Sequence, residues 1–188
     1  MKRIALACLL LFSATLFAQK PCEWSANGKD SLGTYKALKD YVVYESNFGS
    51  SSTYVFLSLQ VQNEIPYLHF QYIKKSKDFI AANCFDKNSR LFLQLDNGVI
   101  VTLKHIDQQS CGQTLMDSGF NSLISEGTFV FMNGTIEDLK SSPVSLLRVR
   151  YSTETFDYPM ASQIKSELTK ETYFPQKYFI DYLSCILP

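Results

Sequence analysis

The sequence predicts an α+β fold: a single domain with an antiparallel, mostly meandering β-sheet of about seven strands, a short helix after Thr135 and a C-terminal helical segment packed on the sheet. Three observations carry this. Residues 90–105, RLFLQLDNGVIVTLKH, read as two apolar strands joined at Asn97-Gly98. Residues 53–61 and 67–74 alternate in side-chain character with the period of two that a strand imposes. Residues 175–186 open on a proline and repeat apolar side chains with helical spacing.

The central hairpin is the most specific of these. Asn-Gly suits a two-residue type I′ loop, because both positions need positive φ. With Asp96 opposite Val99, opposed residue numbers sum to 195, which pairs Leu95 with Ile100, Leu93 with Thr102 and Phe92 with Leu103. One face then carries Leu91, Leu93, Leu95 and Ile100, and the other Phe92, Val99, Val101 and Leu103. With both faces apolar, the hairpin is expected centrally in a sheet covered on both sides. Cys84 and Cys111 also sum to 195, so matched flanks bring them together and favour a Cys84–Cys111 bridge.

At the N-terminus, Lys2 and Arg3 precede an apolar run from Ile4 to Phe17 and the small residue Ala18. This is the pattern of a signal peptide over residues 1–18, too short to span a bilayer, and it leaves residues 19–188 as one disulfide-bridged α+β domain. Loss of Lys2 and Arg3 leaves 16 basic against 18 acidic residues, a net charge of −2. There is no basic excess to hold nucleic acid, and no later stretch is apolar enough for a transmembrane segment in the mature chain. The expected location is periplasmic or extracellular. Four cysteines remain, an even number that in an exported chain reads as two disulfides. With Cys84 joined to Cys111, Cys22 pairs with Cys185 and ties the chain ends together. No CxxC spacing supports zinc.

Residues 19–30 read as polar and irregular, tethered by Cys22. Residues 35–45 read as a strand ending in Tyr41-Val42-Val43-Tyr44, although Leu38 and Val42 also fit a helical face. For residues 53–61 and 67–74, only an odd register sum places Val55, Leu57, Leu59 and Val61 on the side of Leu68, Phe70 and Tyr72. The opposite face carries Tyr54, Phe56, His69 and Gln71, an aromatic and amide-bearing surface suited to a sugar or peptide. The competing reading is that a helix covers its aromatic half. Residues 106–126 read as a long polar loop, with room for a short helix near Leu115.

Residues 127–132 form a strand, and Thr135 then caps a short helix that stops before Pro143. Residues 144–151 set Leu147, Val149 and Tyr151 against Arg148 and Arg150, with a return strand over 153–158. Helices are expected over 161–172, from Ile164 and Leu168, and over 175–186, where Phe179, Leu183 and Ile186 form the buried stripe.

No phosphate-binding loop, nucleophile elbow or metalloprotease motif is present, so neither catalytic residues, a cofactor nor a metal site is assigned. Only His69 and His105 offer imidazole bases. The segments GTYKALKDYVVYESNFG, IKKSKDFIAANCFDKNSRLFLQLDNGVIVTL and SSPVSLLRVRYSTETFDY resemble a group of uncharacterised small secreted proteins of Gram-negative bacteria. The resemblance covers most of the mature chain. It implies export and a single β-rich domain, and transfers no activity. The expectation is an exported, non-enzymatic binding or structural protein of the cell envelope or secreted space, with a protein or glycan partner. The alternative is a small periplasmic hydrolase, or an enzyme inhibitor, using residues 106–126.

Overall fold

The computed structural model describes residues 20–31 and 33–187, so the expected signal peptide lies outside the described residues. The strands of the first half are β1 (Trp24–Asp30), β2 (Gly33–Leu38), β3 (Tyr41–Phe48), β4 (Ser51–Gln62), β5 (Ile65–Ser76), β6 (Cys84–Phe85) and β7 (Arg90–Leu95). Then come β8 (Ile100–His105), β9 (Ser110–Cys111), β10 (Gln113–Asp117), β11 (Phe120–Phe131), helix α1 (Thr135–Ser141) and β12 (Val144–Arg150). The chain ends with β13 (Thr155–Pro159), β14 (Ile164–Lys165), β15 (Thr172–Tyr173), a 3-10 turn (Pro175–Lys177) and helix α2 (Tyr178–Ile186).

The main sheet is antiparallel and open, and has eleven strands among the described residues rather than about seven. Its order is β1-β2-β4-β5-β11-β8-β7-β12-β13, with β3 added to β4 and β10 added to β11. The extra strands come from segments whose polarity conceals them. Residues 24–30, expected to be irregular, pair with β2 as β1. Residues 106–126 are not a loop but hold β9, β10 and the first half of β11. The β10–β11 hairpin turns on Ser118 and Gly119, both at positive φ, as a two-residue loop with the strand twist requires.

The pairing of β4 with β5 has the expected odd register, with Val55 opposite Tyr72, Leu57 opposite Phe70 and Leu59 opposite Leu68. Burying that set fixes the register, since a one-residue slip would expose all of it. The β7–β8 hairpin differs. Its partners are Leu91 with Leu103, Leu93 with Val101 and Gln94 with Ile100, a sum of 194. The turn holds three residues: Gly98 N–H donates to Leu95 O and Leu95 N–H donates to Val99 O. Gly98 has φ of 87° and Asn97 is not at positive φ. The hairpin is therefore a type I turn followed by a glycine bulge rather than a type I′ loop. All five of Leu91, Leu93, Leu95, Val101 and Leu103 fall on one buried face, while Ile100 is 62% exposed on the other. The sheet is thus covered on one side here, not both.

Both disulfides form as expected, Cys84–Cys111 and Cys22–Cys185. Cys84 and Cys111 are cross-strand partners in the separate β6–β9 pair. That pair keeps the sum of 195, so it is one residue out of step with the hairpin, and residues 86–89 absorb the difference in a turn where Asp86 accepts from Asn88 N–H.

One core joins the inner face of the sheet to both helices. It includes Leu57, Phe70, Leu93, Phe129 and Leu147 from strands, Leu139 from α1, and Phe179, Leu183 and Ile186 from α2. The α1 boundaries match the expectation, but Gly134 in the left-handed conformation is the N-cap, and Thr135 Oγ1 instead donates to Met132 O. The helix expected over 161–172 is absent. In its place β14 and β15 form a two-stranded hairpin, with Lys170 at φ of 65° and Leu168 about half exposed. This hairpin lies against β3, where Glu45 Oε1 accepts from Glu167 N–H and Tyr173 packs with Val42 and Phe56.

Candidate functional site

The four residues singled out in the sequence share the outer face of β4 and β5, with Phe56 directly opposite Gln71. Their surroundings divide them. Phe56 is buried with Val42 and Tyr173, and Tyr54 packs at the rim of that small cluster while its hydroxyl donates to Asn47 Oδ1. The cover over the aromatic half is the β14–β15 hairpin, not a helix. His69 and Gln71 stay partly exposed, and Gln71 Nε2 donates to Glu126 Oε1 on β11.

His69 lines a hollow of about 150 Å³ with His105, Ser110 and Glu126. This concavity borders residues 106–126 and holds both histidines, so it is where a hydrolytic site is sought. Ser110 Oγ donates to the Glu126 carbonyl, and the Glu126 carboxylate receives Gln71. His105 is 7% exposed, stacked on Phe85 at 5.2 Å and met edge-on by Phe129 at 5.1 Å. Burial holds its pKa below the ordinary imidazole value, and its Nδ1 has no hydrogen-bond partner. It is built into the core as a ring, with neither Ser110 nor a carboxylate hydrogen-bonded to it.

The most concentrated site lies at the sheet edge where the chain passes from β2 to β3. A pocket of about 350 Å³ is walled by Tyr41, Tyr173, Phe174, Tyr178 and Tyr182. Tyr41 starts β3, Tyr173 ends β15, and Phe174 precedes the proline that starts the 3-10 turn. Tyr178 and Tyr182 stand four apart on α2 and so share a face. Tyr41 is the hub: its ring lies 4.8 Å from Tyr173, 4.9 Å from Tyr178 and 5.4 Å from Tyr182. Its hydroxyl accepts from Phe174 N–H at 2.7 Å, which fixes the wall. Burial raises its pKa to about 12 and also raises those of Tyr173, Tyr178 and Tyr182, so the rings are neutral phenols at physiological pH.

The rim is charged. Lys39 Nζ meets Glu23 Oε2 at 2.8 Å, and Lys20 Nζ meets Asp181 Oδ2 at 2.7 Å. Asp40 and Glu171 add two further carboxylates, and Glu171 accepts from the Tyr173 hydroxyl at 3.0 Å. The Cys22–Cys185 bridge anchors the segment that carries Lys20 to α2. The signal for this site stood in the sequence as YFPQKYFIDY, residues 173–182, where tyrosines accompany the apolar stripe of the helix.

A broader groove of about 540 Å³ opens on the outer face beside Tyr35, Gln60, Gln62 and Tyr67. The β10–β11 hairpin carries exposed Leu115 and Met116. Among the described residues, no three His, Cys, Asp or Glu side chains converge as metal ligands, and no helix is long and apolar enough to cross a membrane. Comparison with protein-family models, curated proteins and solved structures returned no match.

Proposed function

We propose that the chain is an exported, non-enzymatic binding protein of the cell envelope or secreted space, and one of the small secreted β-rich proteins of Gram-negative bacteria that its sequence resembles. The observation that carries this reading is the edge pocket. Five aromatic rings converge on a concavity whose polar groups sit at the rim, the arrangement of a preformed ligand site. Two disulfides are compatible with an oxidising compartment. The tyrosine- and amide-lined groove and the apolar tip at Leu115 and Met116 supply further surface for a protein or glycan partner.

The hydrolase reading draws on the hollow between His69 and His105, and the hydrogen bonds weigh against it. Ser110 is committed to a backbone carbonyl, and His105 is enclosed by Phe85 and Phe129.

The test is sedimentation of the purified protein with peptidoglycan sacculi and with outer-membrane vesicles, comparing wild type with F174A and a Y35A/Y67A variant. The expected result is saturable binding to one fraction, weakened by one of the variants, with no soluble product released. Absence of binding to both fractions, or turnover of either, overturns the proposal.

A further inference from the structure

We propose that the edge pocket is a site for a small organic ammonium cation, and that the chain's own Lys20 occupies it when no such ligand is bound. This rests on the binding reading above and assigns its ligand class. Lys20 Nζ lies 4.8 Å from the centroid of Phe174 and 5.8 Å from that of Tyr182, with Asp181 Oδ2 at 2.7 Å. A cation over two ring faces, with a carboxylate behind it, is how proteins recognise ammonium groups. The chain therefore shows the chemistry of the pocket with a side chain of its own.

Two further features point to an incoming cation. Asp40 and Glu171 line the cavity with Glu23, three carboxylates against Lys20 and Lys39, so the lining favours positive charge even though Glu171 accepts from the Tyr173 hydroxyl and acts on Lys39. The rings of Tyr41 and Tyr173 border the remaining volume of about 350 Å³ but do not hold the Lys20 ammonium, so faces remain for a larger group. Lys20 is also a weak occupant. Its side chain is 38% exposed, and a primary ammonium is strongly hydrated. A trimethylammonium group spreads its charge over methyls, sheds water more easily and touches more of the wall. Lys20 and ligand then compete, and the apparent affinity falls in proportion to the time Lys20 spends in place.

The experiment is calorimetric titration of the full chain, expressed from Met1 and purified as the cell processes it, with choline and with its neutral isostere 3,3-dimethyl-1-butanol. Wild type, K20Q, K20R and F174A are compared. Choline is expected to bind K20Q about threefold or more tighter than wild type, K20R is expected to bind it no tighter than wild type because a guanidinium is less hydrated and stacks on the same rings, and F174A is expected to lose about fivefold or more. The isostere should bind about tenfold more weakly than choline. Competition by phosphatidylcholine vesicles would identify a lipid headgroup as the source of the cation, and its absence a free solute; both support the ammonium assignment. K20Q binding no tighter than wild type overturns the role of Lys20. Equal binding of the isostere overturns the ligand class while leaving the pocket a binding site. No binding of either probe to K20Q overturns the inference, and the binding reading falls with it only if the envelope fractions also fail to bind. Coincident thermal melts confirm that each variant is folded.

Discussion

Breaking the two disulfides separately should destabilise the protein unequally, and the long one should matter more. Cys22–Cys185 closes 163 residues of separation and Cys84–Cys111 closes 27. A crosslink removes loop-closure entropy from the unfolded chain by about 2.1 + 1.5R ln n cal/mol/K, which gives about 5 kcal/mol for the long bridge and about 3.5 kcal/mol for the short one. The difference, about 1.6 kcal/mol, depends only on the ratio of loop lengths. The native consequences are local in both cases. Cys84 and Cys111 sit in a two-residue ladder, and Cys22 lies in the lead-in to β1. Urea unfolding of C22S/C185S and C84S/C111S, followed by far-UV circular dichroism, should place the first variant at the lower midpoint with similar slopes. An equal or reversed order would show that native packing around the bridges, not chain entropy, sets their contribution. C22S/C185S should also release Lys20 from α2 and so change choline affinity in the direction of K20Q.

Other outcomes follow from particular contacts. A Cβ at Gly127 would lie 3.0 Å from Phe129 and 3.1 Å from Phe85, so G127A should cost about 1–2 kcal/mol by overpacking, and F85L in the same chain should recover part of it in a double-mutant cycle of urea midpoints. His105 has a pKa lowered by burial, so the unfolded chain binds its proton more readily. Its contribution is complete above about 6.5, the unfolded value, and is lost as pH falls through the lower folded value. H105F should therefore flatten the stability–pH profile on the acid side, and an unchanged profile refutes the assignment. The buried phenols work in the opposite sense: neutral in the fold, they support it below the unfolded value of about 10 and withdraw that support as pH rises through the folded values. Spectrophotometric titration should show Tyr41 ionising near 12, and Tyr151, Tyr158 and Tyr178 only on unfolding.

What the sequence made legible was what burial alone decides. The β4–β5 register, the strand at 144–150 with its arginines outward, and the stripe of α2 all follow from placing apolar side chains on one side. The sequence misleads where a distant contact decides. Asn97-Gly98 fits two turns of different length, and the choice lies in Asp96, whose N–H donates to Pro143 O, while Asn97 N–H donates to Ser142 Oγ. Those bonds draw Asp96 into the loop and shift the ladder by one. True two-residue turns with both φ positive lie at Asn63-Glu64 and Ser118-Gly119. The segment 161–172 has helical spacing at Ile164 and Leu168 but docks against β3 as a hairpin, in which Ser166 N–H donates to Glu171 O and closes a tight loop. Tyr54, Phe56, His69 and Gln71 share one face, as alternation predicts, but alternation is silent on what covers a face. The edge pocket takes one wall from the local run at residues 173–182, but its closure by Lys20 and Tyr41 from far along the chain is encoded by no local pattern.

The aromatic pocket and the histidine hollow both lie where a long strand changes partners. Along one edge β4 pairs with β3 as far as Leu57 and with β2 from Gln60, and the corner between those partners, residues 38–41, lines the aromatic pocket. Along one edge β11 pairs with β10 as far as Ile124 and with β8 from Phe129, and the hollow with His69 and His105 lies in that gap. At each break the ladder stops, and the freed backbone groups need other partners. Leu38 O receives the hydroxyls of Ser58 and Ser25, Lys39 N–H donates to Glu23 O, and Ser110 Oγ serves Glu126 O. The two gaps differ in what remains once this is done. At the β11 gap the Ser110 hydroxyl donates to Glu126 O and the His105 ring packs between Phe85 and Phe129, so the two are not paired as nucleophile and base. At the β4 gap serine hydroxyls satisfy the Leu38 carbonyl, and the aromatic wall lines the cavity together with Asp40 and with Glu171, which accepts from the Tyr173 hydroxyl. That asymmetry is the physical reason to seek the ligand at Tyr41 rather than at the histidines.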